Sequence, residues 1–294
     1  MILVTGVSGR LGGAILAGLR ALDGVEVAGA SSSGGGTAGV RLADFDRPRT
    51  LEPAFAGVDV LVFVSAGYAE DDVVLARHGA VVRAAAAAGV RHVVYTSLAG
   101  SGELLTIALA HRWTEACLAG APFAVTVLRN GLYAELAAGL ALAGAAGAAG
   151  SGTFAAPLGG GRLPVVARDD LAAAAVRVAA EAQADLAAAG EPGRHAGRTY
   201  ELEGVAAVGG RDLAGALAGV LGRPVVYRPV PLGEARTALA GLMEPYQVGH
   251  SMSTYANVVA GLMEGRGGDL TTLVPEPRPV LDVITATLKA ALAG

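Results

Sequence analysis

Thr5-Gly6-Val7-Ser8-Gly9-Arg10-Leu11-Gly12, entered from the apolar run Ile2-Leu3-Val4 and continued by Gly13-Ala14-Ile15-Leu16, is the stretch that decides the fold. Glycines at this spacing, between a strand and a helix, do three separate things. Gly6 permits the tight turn, Gly9 lets the backbone approach a pyrophosphate, and Gly12 allows close packing of the helix, whose N-terminus favours negative charge. The run therefore predicts the first turn of a βαβ unit that binds a nicotinamide dinucleotide, with Gly6, Ser8, Gly9, Arg10, Leu11 and Gly12 as cofactor-binding residues.

Outward from this turn, short β-branched runs alternate with helical stretches, the pattern of a parallel sheet covered on both faces. Strands are expected at Ile2–Val4, Val25–Ala30, Val40–Ala43, Val58–Val64, His92–Thr96 and Ala124–Leu128. Helices are expected near Leu11–Leu22, Thr50–Phe55, Asp71–Ala88 and Gly102–Leu118. After Leu128 the alternation gives way to longer helices, an Ala/Gly-rich segment and isolated strands near Arg198–Glu201 and Pro224–Tyr227. The fold class is α/β, a Rossmann-type doubly wound parallel sheet with a smaller C-terminal substrate-binding region. Residues 1–130 form the dinucleotide-binding core and 131–294 mainly the substrate side, with 164–188 returning to cover the core sheet.

Composition narrows the partners. Apolar residues make up 53% of the chain and charged ones 16%, enough burial for cooperative folding. Twenty-two basic against 26 acidic side chains, with no basic run, disfavour nucleic acid and anionic membrane and leave a small molecule as the expected ligand. Cys117 is the one cysteine, so no intrachain disulfide forms, and with no signal-peptide pattern at the N-terminus a cytoplasmic setting is expected, as a monomer or homodimer. Residues 136–161 carry no charge, but they are mostly Ala and Gly with Pro157. They predict an Ala-rich helix followed by a loop, not a membrane span. His78, His92, His195 and His250 have no ligand spacing with one another or with Cys117, so no metal is expected. Met243, Met252, Met263, Tyr246 and Tyr255 are candidates for an adaptable apolar pocket or for plain core packing.

Cofactor choice is read at the end of the second strand, where an acid would hold the ribose hydroxyls of NAD and repel a 2′-phosphate. The sequence has Ala30-Ser31-Ser32-Ser33-Gly34 there. Ser31 and Ser32 are placed to bond a phosphate, with Arg10 supplying positive charge, so NADPH is preferred and NADH remains possible.

The sequence resembles the atypical short-chain dehydrogenase/reductases of the NmrA-like group, particularly the type 2 NAD(P)H:quinone oxidoreductases. The resemblance is carried by the glycine turn, Ala43-Asp44-Phe45-Asp46, Tyr95-Thr96-Ser97-Leu98, His111-Arg112-Trp113-Thr114-Glu115, Leu128-Arg129-Asn130-Gly131-Leu132-Tyr133 and Ala167-Arg168-Asp169-Asp170. It implies that Asp44 and Phe45 lie along the adenine and that Val64, Ser65 and Ala66 flank the nicotinamide ribose, with Thr96 beside them. Most short-chain reductases use Ser, Tyr and Lys, the last two four residues apart on one helix face. Here Ile107 falls on the tyrosine position and His111 on the lysine position, so that pair is absent. The catalytic candidates are Ser97 for carbonyl polarisation, His111 as a group titrating near neutrality that also orients the ribose, and Tyr133 from the loop after the sixth strand; Thr96 and Ser101 are alternatives to Ser97.

The expected function is that of an NAD(P)H-dependent ketoreductase acting on a polycyclic aromatic ketone in antibiotic biosynthesis. By resemblance, related Tyr-lacking reductases tailor angucyclinones of the simocyclinone type, and a phenol beside the ketone would assist protonation. The alternatives are two-electron reduction of quinones and, in another class, a redox sensor that binds the dinucleotide without turnover.

Overall fold

A computed structural model of the chain describes residues 1–34, 39–66, 69–188, 193–263, 265 and 267–293. The first half runs β1 (Ile2–Val4), α1 (Arg10–Arg20), β2 (Val27–Ser31), β3 (Val40–Leu42), α2 (Leu51–Phe55), β4 (Val60–Phe63), α3 (Asp71–Ala87), β5 (His92–Leu98), α4 (Ala108–Ala119) and β6 (Ala124–Asn130). The second half continues with β7 (Leu132–Tyr133), α5 (Ala134–Ala143), α6 (Ala145–Ser151), β8 (Thr153–Ala156), β9 (Arg162–Val166), α7 (Arg168–Ala187), β10 (Thr199–Leu202), β11 (Ala207–Gly209) and α8 (Gly210–Leu221). It closes with β12 (Val226–Pro229), α9 (Leu232–Ala240), α10 (Pro245–Val259), α11 (Leu270–Leu273) and α12 (Val280–Ala293).

Seven parallel strands form the main sheet in the order β10-β6-β5-β4-β1-β2-β3. The order reverses between β1 and β4, and the crevice beyond their carboxyl ends is where such sheets bind ligands. Both faces are apolar. Val4, Val62, Val94 and Leu128 pack with α1 and α7 on one side; Leu3, Leu61, Val93 and Tyr95 pack with α2 and α3 on the other. A third core gathers the small side chains of α5 and α6 around Phe154, Leu213, Leu217 and Ile284.

Four readings are corrected. Thr199–Leu202 is no isolated strand but the seventh strand of the main sheet, paired with β6. The segment near 224–227 pairs with β8, a strand inside the stretch read as helix and loop, where the Phe154 side chain gains full burial. The helix expected from Gly102 starts only at Ala108, because Gly100–Gly102 forms a separate single turn and Ile107 sits at the N-cap. β5 and β6 run two residues past the expected ends, to Leu98 and Asn130, since the ladder tolerates polar residues where a neighbouring element receives their side chains.

Among the described residues no single helix is long and apolar enough to cross a membrane; α5 and α6 reach that length only together and are bent by 46°. Met252 and Met263 are buried in cores, whereas Met243 is exposed between α9 and α10.

Candidate functional site

The glycine turn sits at the switch point. Gly6 takes φ +65°, and a Cβ on Gly12 would lie 2.4 Å from the Gly6 carbonyl oxygen, so neither position accepts a side chain without moving the turn. Gly9 donates its amide to Gly6 O at 2.9 Å and begins α1 with no side-chain cap and no acid in the first turn. A helix N-terminus presented in this way is matched to a pyrophosphate by charge and by its amide hydrogens. Ser8 and Arg10 are exposed beside it, while Leu11 points into the core and offers a ligand only its backbone.

At the end of β2 the Ser31 and Ser33 hydroxyls are 3.3 Å apart and Ser32 is exposed. Arg47 reaches this loop from the segment after β3. Its Nη2 donates to Ser32 O at 3.4 Å and its Nε to Asp44 Oδ2 at 2.7 Å, with the side chain half exposed. Sequence reasoning missed Arg47, because its approach to Ser32 spans 15 residues that include β3; the Asp44–Arg47 spacing of three was the available signal. Asp44 also receives the Asp46 amide, and Phe45 sets its ring edge-on to Phe63 at 5.8 Å. Asp46 in turn takes a two-pronged ion pair from Arg77 on α3, both bonds at 2.7 Å.

Beyond β4, three consecutive amides are each held by a side chain from a different element. Val64 N–H donates to Thr5 Oγ1 at 3.0 Å, Ser65 N–H to Thr96 Oγ1 at 3.0 Å, and Ala66 N–H to His78 Nε2 at 3.2 Å. The segment expected to flank the nicotinamide ribose is therefore fixed although it belongs to no ladder.

Thr96 and Ser97 are neighbours in β5, so they face opposite sides of the sheet. Thr96 turns to the 64–66 segment. Ser97 turns to α4 and donates its hydroxyl to Glu115 Oε1 at 2.5 Å. Glu115 also accepts from Arg112 Nη1 at 2.8 Å and from Arg129 at 3.0 and 2.6 Å, and Arg129 Nη1 reaches Glu201 Oε1 at 2.8 Å. Ser97, Arg129 and Glu201 stand in register on three adjacent strands, so this is a row of charge across the sheet end. Burial opposes ionisation of Glu115, but bonds from Arg129 and Ser97 and the charge of Arg112 outweigh it and hold its carboxyl below the usual range. The Ser97 hydroxyl is committed to this carboxylate, whereas the Thr96 hydroxyl accepts from Ser65 N–H and lies 3.4 Å from Ser65 Oγ; Ser101 is buried with its amide on Glu203.

His111 lies on α4 with Nδ1 2.9 Å from the hydroxyl of the fully buried Tyr95. Burial, reinforced by the charge of Arg112, pushes His111 down to about 4, so the expectation of a group titrating near neutrality is corrected: it is neutral at pH 7. Tyr133, on β7, is packed against the α1/α7 core with Arg168 5.8 Å over its ring, and burial raises its pKa so that it stays protonated. Among the described residues no group of three or more His, Cys, Asp and Glu is arranged to hold a metal ion.

No protein-family model matches the chain. It is 34% identical over 207 residues to quinone oxidoreductase 2 of Escherichia coli (strain K12), covering 70% of this chain and 66% of that protein. It is 30% identical over 213 residues to the NAD(P)H azoreductase of Xenophilus azovorans, covering 71% and 68%. Among solved structures, the Citrobacter sp. triphenylmethane reductase complexed with NADP(H) superposes with a TM-score of 0.83 at 28% identity, covering 99% of both chains. The E. coli NADPH-dependent quinone oxidoreductase complexed with NADPH gives 0.80 at 28% identity, over 97% of this chain and 99% of that one.

Proposed function

The chain belongs to the NmrA-like, NAD(P)H-dependent oxidoreductases, an atypical branch of the short-chain dehydrogenase/reductases, and we propose that it reduces a flat, conjugated, electron-poor acceptor of the quinone or aromatic dye class with NADPH. The observation that carries this reading is that, among the described residues, none of the three positions where most short-chain reductases keep Ser, Tyr and Lys supplies a charged proton donor. Ser97 is bound to Glu115, His111 is neutral, and isoleucine stands at position 107. A simple ketone reduced to an alkoxide needs a strong donor, whereas a quinone accepts hydride with little acid catalysis.

When bound, NADPH supplies the hydride. The glycine turn and the start of α1 hold the pyrophosphate through amides, Asp44 and Phe45 border the adenine, and Ser31, Ser32, Arg10 and Arg47 meet the 2′-phosphate. Val64, Ser65 and Ala66 support the nicotinamide ribose. Thr96, whose hydroxyl accepts from Ser65 N–H, is the candidate to polarise the acceptor, and Tyr133, kept protonated by burial, is the candidate to donate a proton to the reduced acceptor.

The polycyclic aromatic ketone of antibiotic biosynthesis remains a finer reading of the same chemistry, and the quinone alternative is favoured over it by the relatives named above. Oxidation of NADPH and NADH against simple quinones, triphenylmethane dyes, simple ketones and phenol-bearing polycyclic ketones tests this. Turnover of quinones or dyes, faster with NADPH, is the expected result. Turnover confined to polycyclic ketones would replace the acceptor class, and tight cofactor binding with no oxidation anywhere would turn the reading to a redox sensor.

A further inference from the structure

His78 takes no part in the chemistry above, yet it is fully buried and both of its ring nitrogens are engaged. Nε2 lies 3.2 Å from the Ala66 backbone nitrogen and Nδ1 lies 2.8 Å from Thr114 Oγ1 on α4. The Ala66 N–H can only donate, so Nε2 is a bare lone pair and the ring hydrogen sits on Nδ1. Thr114 accepts that hydrogen and passes its own to the Ala110 carbonyl at 2.7 Å. One tautomer satisfies every group in the line, which runs from the segment after β4, through α3, to the helix that carries His111.

We infer that His78 is a positioning residue: its bare Nε2 fixes the Ala66 amide, the last of the three anchored amides of the 64–66 segment beneath the nicotinamide ribose, while its Nδ1–H keeps that residue in register with α4. The inference rests on the dinucleotide site proposed above. An apolar ring would fill the same space between Phe63 and Tyr95, whose rings lie 5.1 and 6.0 Å away, but it would leave the Ala66 N–H without an acceptor. Burial is the main reason the ring stays neutral. Together with the nearby Arg77 charge it pushes His78 down to about 3.

His78→Phe, His78→Gln and Thr114→Val are compared with the wild-type chain for NADPH affinity by titration calorimetry, and the wild-type ring is read by long-range ¹H–¹⁵N spectra. The spectra are expected to show a protonated Nδ1 and a bare Nε2. The Phe variant is expected to weaken NADPH binding about tenfold, the scale of one buried hydrogen bond left unmade. Thr114→Val should weaken it by about threefold, and His78→Gln, whose Oε1 can accept from Ala66, should return to within about threefold of wild type. A merely structural histidine would lower the melting temperature of the Phe and Gln variants alike with no recovery of affinity in the latter. A protonated Nε2, or unchanged NADPH affinity in the Phe variant, overturns the inference. If that variant does not fold, the spectra and Thr114→Val decide. If the wild type binds neither NADPH nor NADH, the cofactor reading falls, and the ring spectra still decide the tautomer and hence whether Ala66 is held.

Discussion

The two ends of the main sheet hold nearly the same device. At the carboxyl ends, His78 donates through Nδ1 to Thr114, which donates to the Ala110 carbonyl. At the amino ends, His92, the first residue of β5, donates through Nε2 to Thr126 at 2.8 Å, and Thr126 donates to the His195 carbonyl at 2.7 Å. Both histidines are buried and neutral, His78 pushed down to about 3 and His92 to about 4, in each case chiefly by burial. The lower pair leads into protein: His195 is itself closed by Tyr200 at 2.9 Å and Glu181 at 2.7 Å. The upper pair ends on the Ala66 amide, in the segment that faces the proposed cofactor. The local chemistry is common to both, and its consequence depends on which end of the sheet it occupies.

Acid gives the largest expected effect and treats the two ends alike. The unfolded chain takes up protons at His78, His92 and His111 below about pH 6.5, while the folded chain does so only near their depressed values, so stability is intact above that pH and declines as pH falls toward 3–4. By pH 5 the loss is at most roughly 2 kcal/mol per histidine. Urea unfolding at pH 7.5, 6 and 5 should show it, and glutamine at either His78 or His92 should remove about a third of the decline. A flat profile would mean that these rings are not held neutral.

Thr126→Val separates the ends. It leaves the His92 N–H and the His195 carbonyl unmatched and should lower stability by about 2 kcal/mol in urea titration, with NADPH affinity unchanged. A parallel loss of affinity would erase the distinction drawn between the pairs. Arg47→Gln should do the opposite, leaving the unfolding midpoint in place while lowering the ratio of kcat/KM for NADPH over NADH about tenfold. An equal loss with both cofactors would remove Arg47 from the 2′-phosphate. The smallest effect is expected at Ser97. Its alanine variant should change kcat by no more than about twofold, because its hydroxyl is bound to Glu115, whereas Thr96→Val should reduce kcat about tenfold or more. The reverse ranking would restore Ser97 as the polarising group.

What could be read without coordinates was what is local in the chain. The glycine turn is a run of eight residues whose spacing carries its own geometry, and the parallel order follows from the alternation around it. Thr96 and Ser97 were both named, but which one turns toward the cleft depends on β5 continuing to Leu98, and an apolar pattern does not show where a ladder with polar ends stops. The backbone partners of Arg47 and His78 were out of reach for a different reason. Each side chain acts on a backbone atom of another segment, Ser32 O or Ala66 N, and a backbone partner leaves no mark in side-chain identity. A strand near Arg198–Glu201 was recognised, but its place beside β6 is set by α7, which starts at Arg168 and crosses the sheet before it.

The three side-chain anchors on Val64, Ser65 and Ala66 also have a consequence for hydrogen exchange. Protection is usually the mark of helix and sheet, but here three successive amides outside any ladder should exchange slowly, each through an opening of its own. The Val64 proton reports on the end of β1 through Thr5, that of Ser65 on β5 through Thr96, and that of Ala66 on α3 through His78. A substitution in any one of these elements should release one proton and leave the other two slow, so the segment records separately how firmly each wall of the cleft is closed.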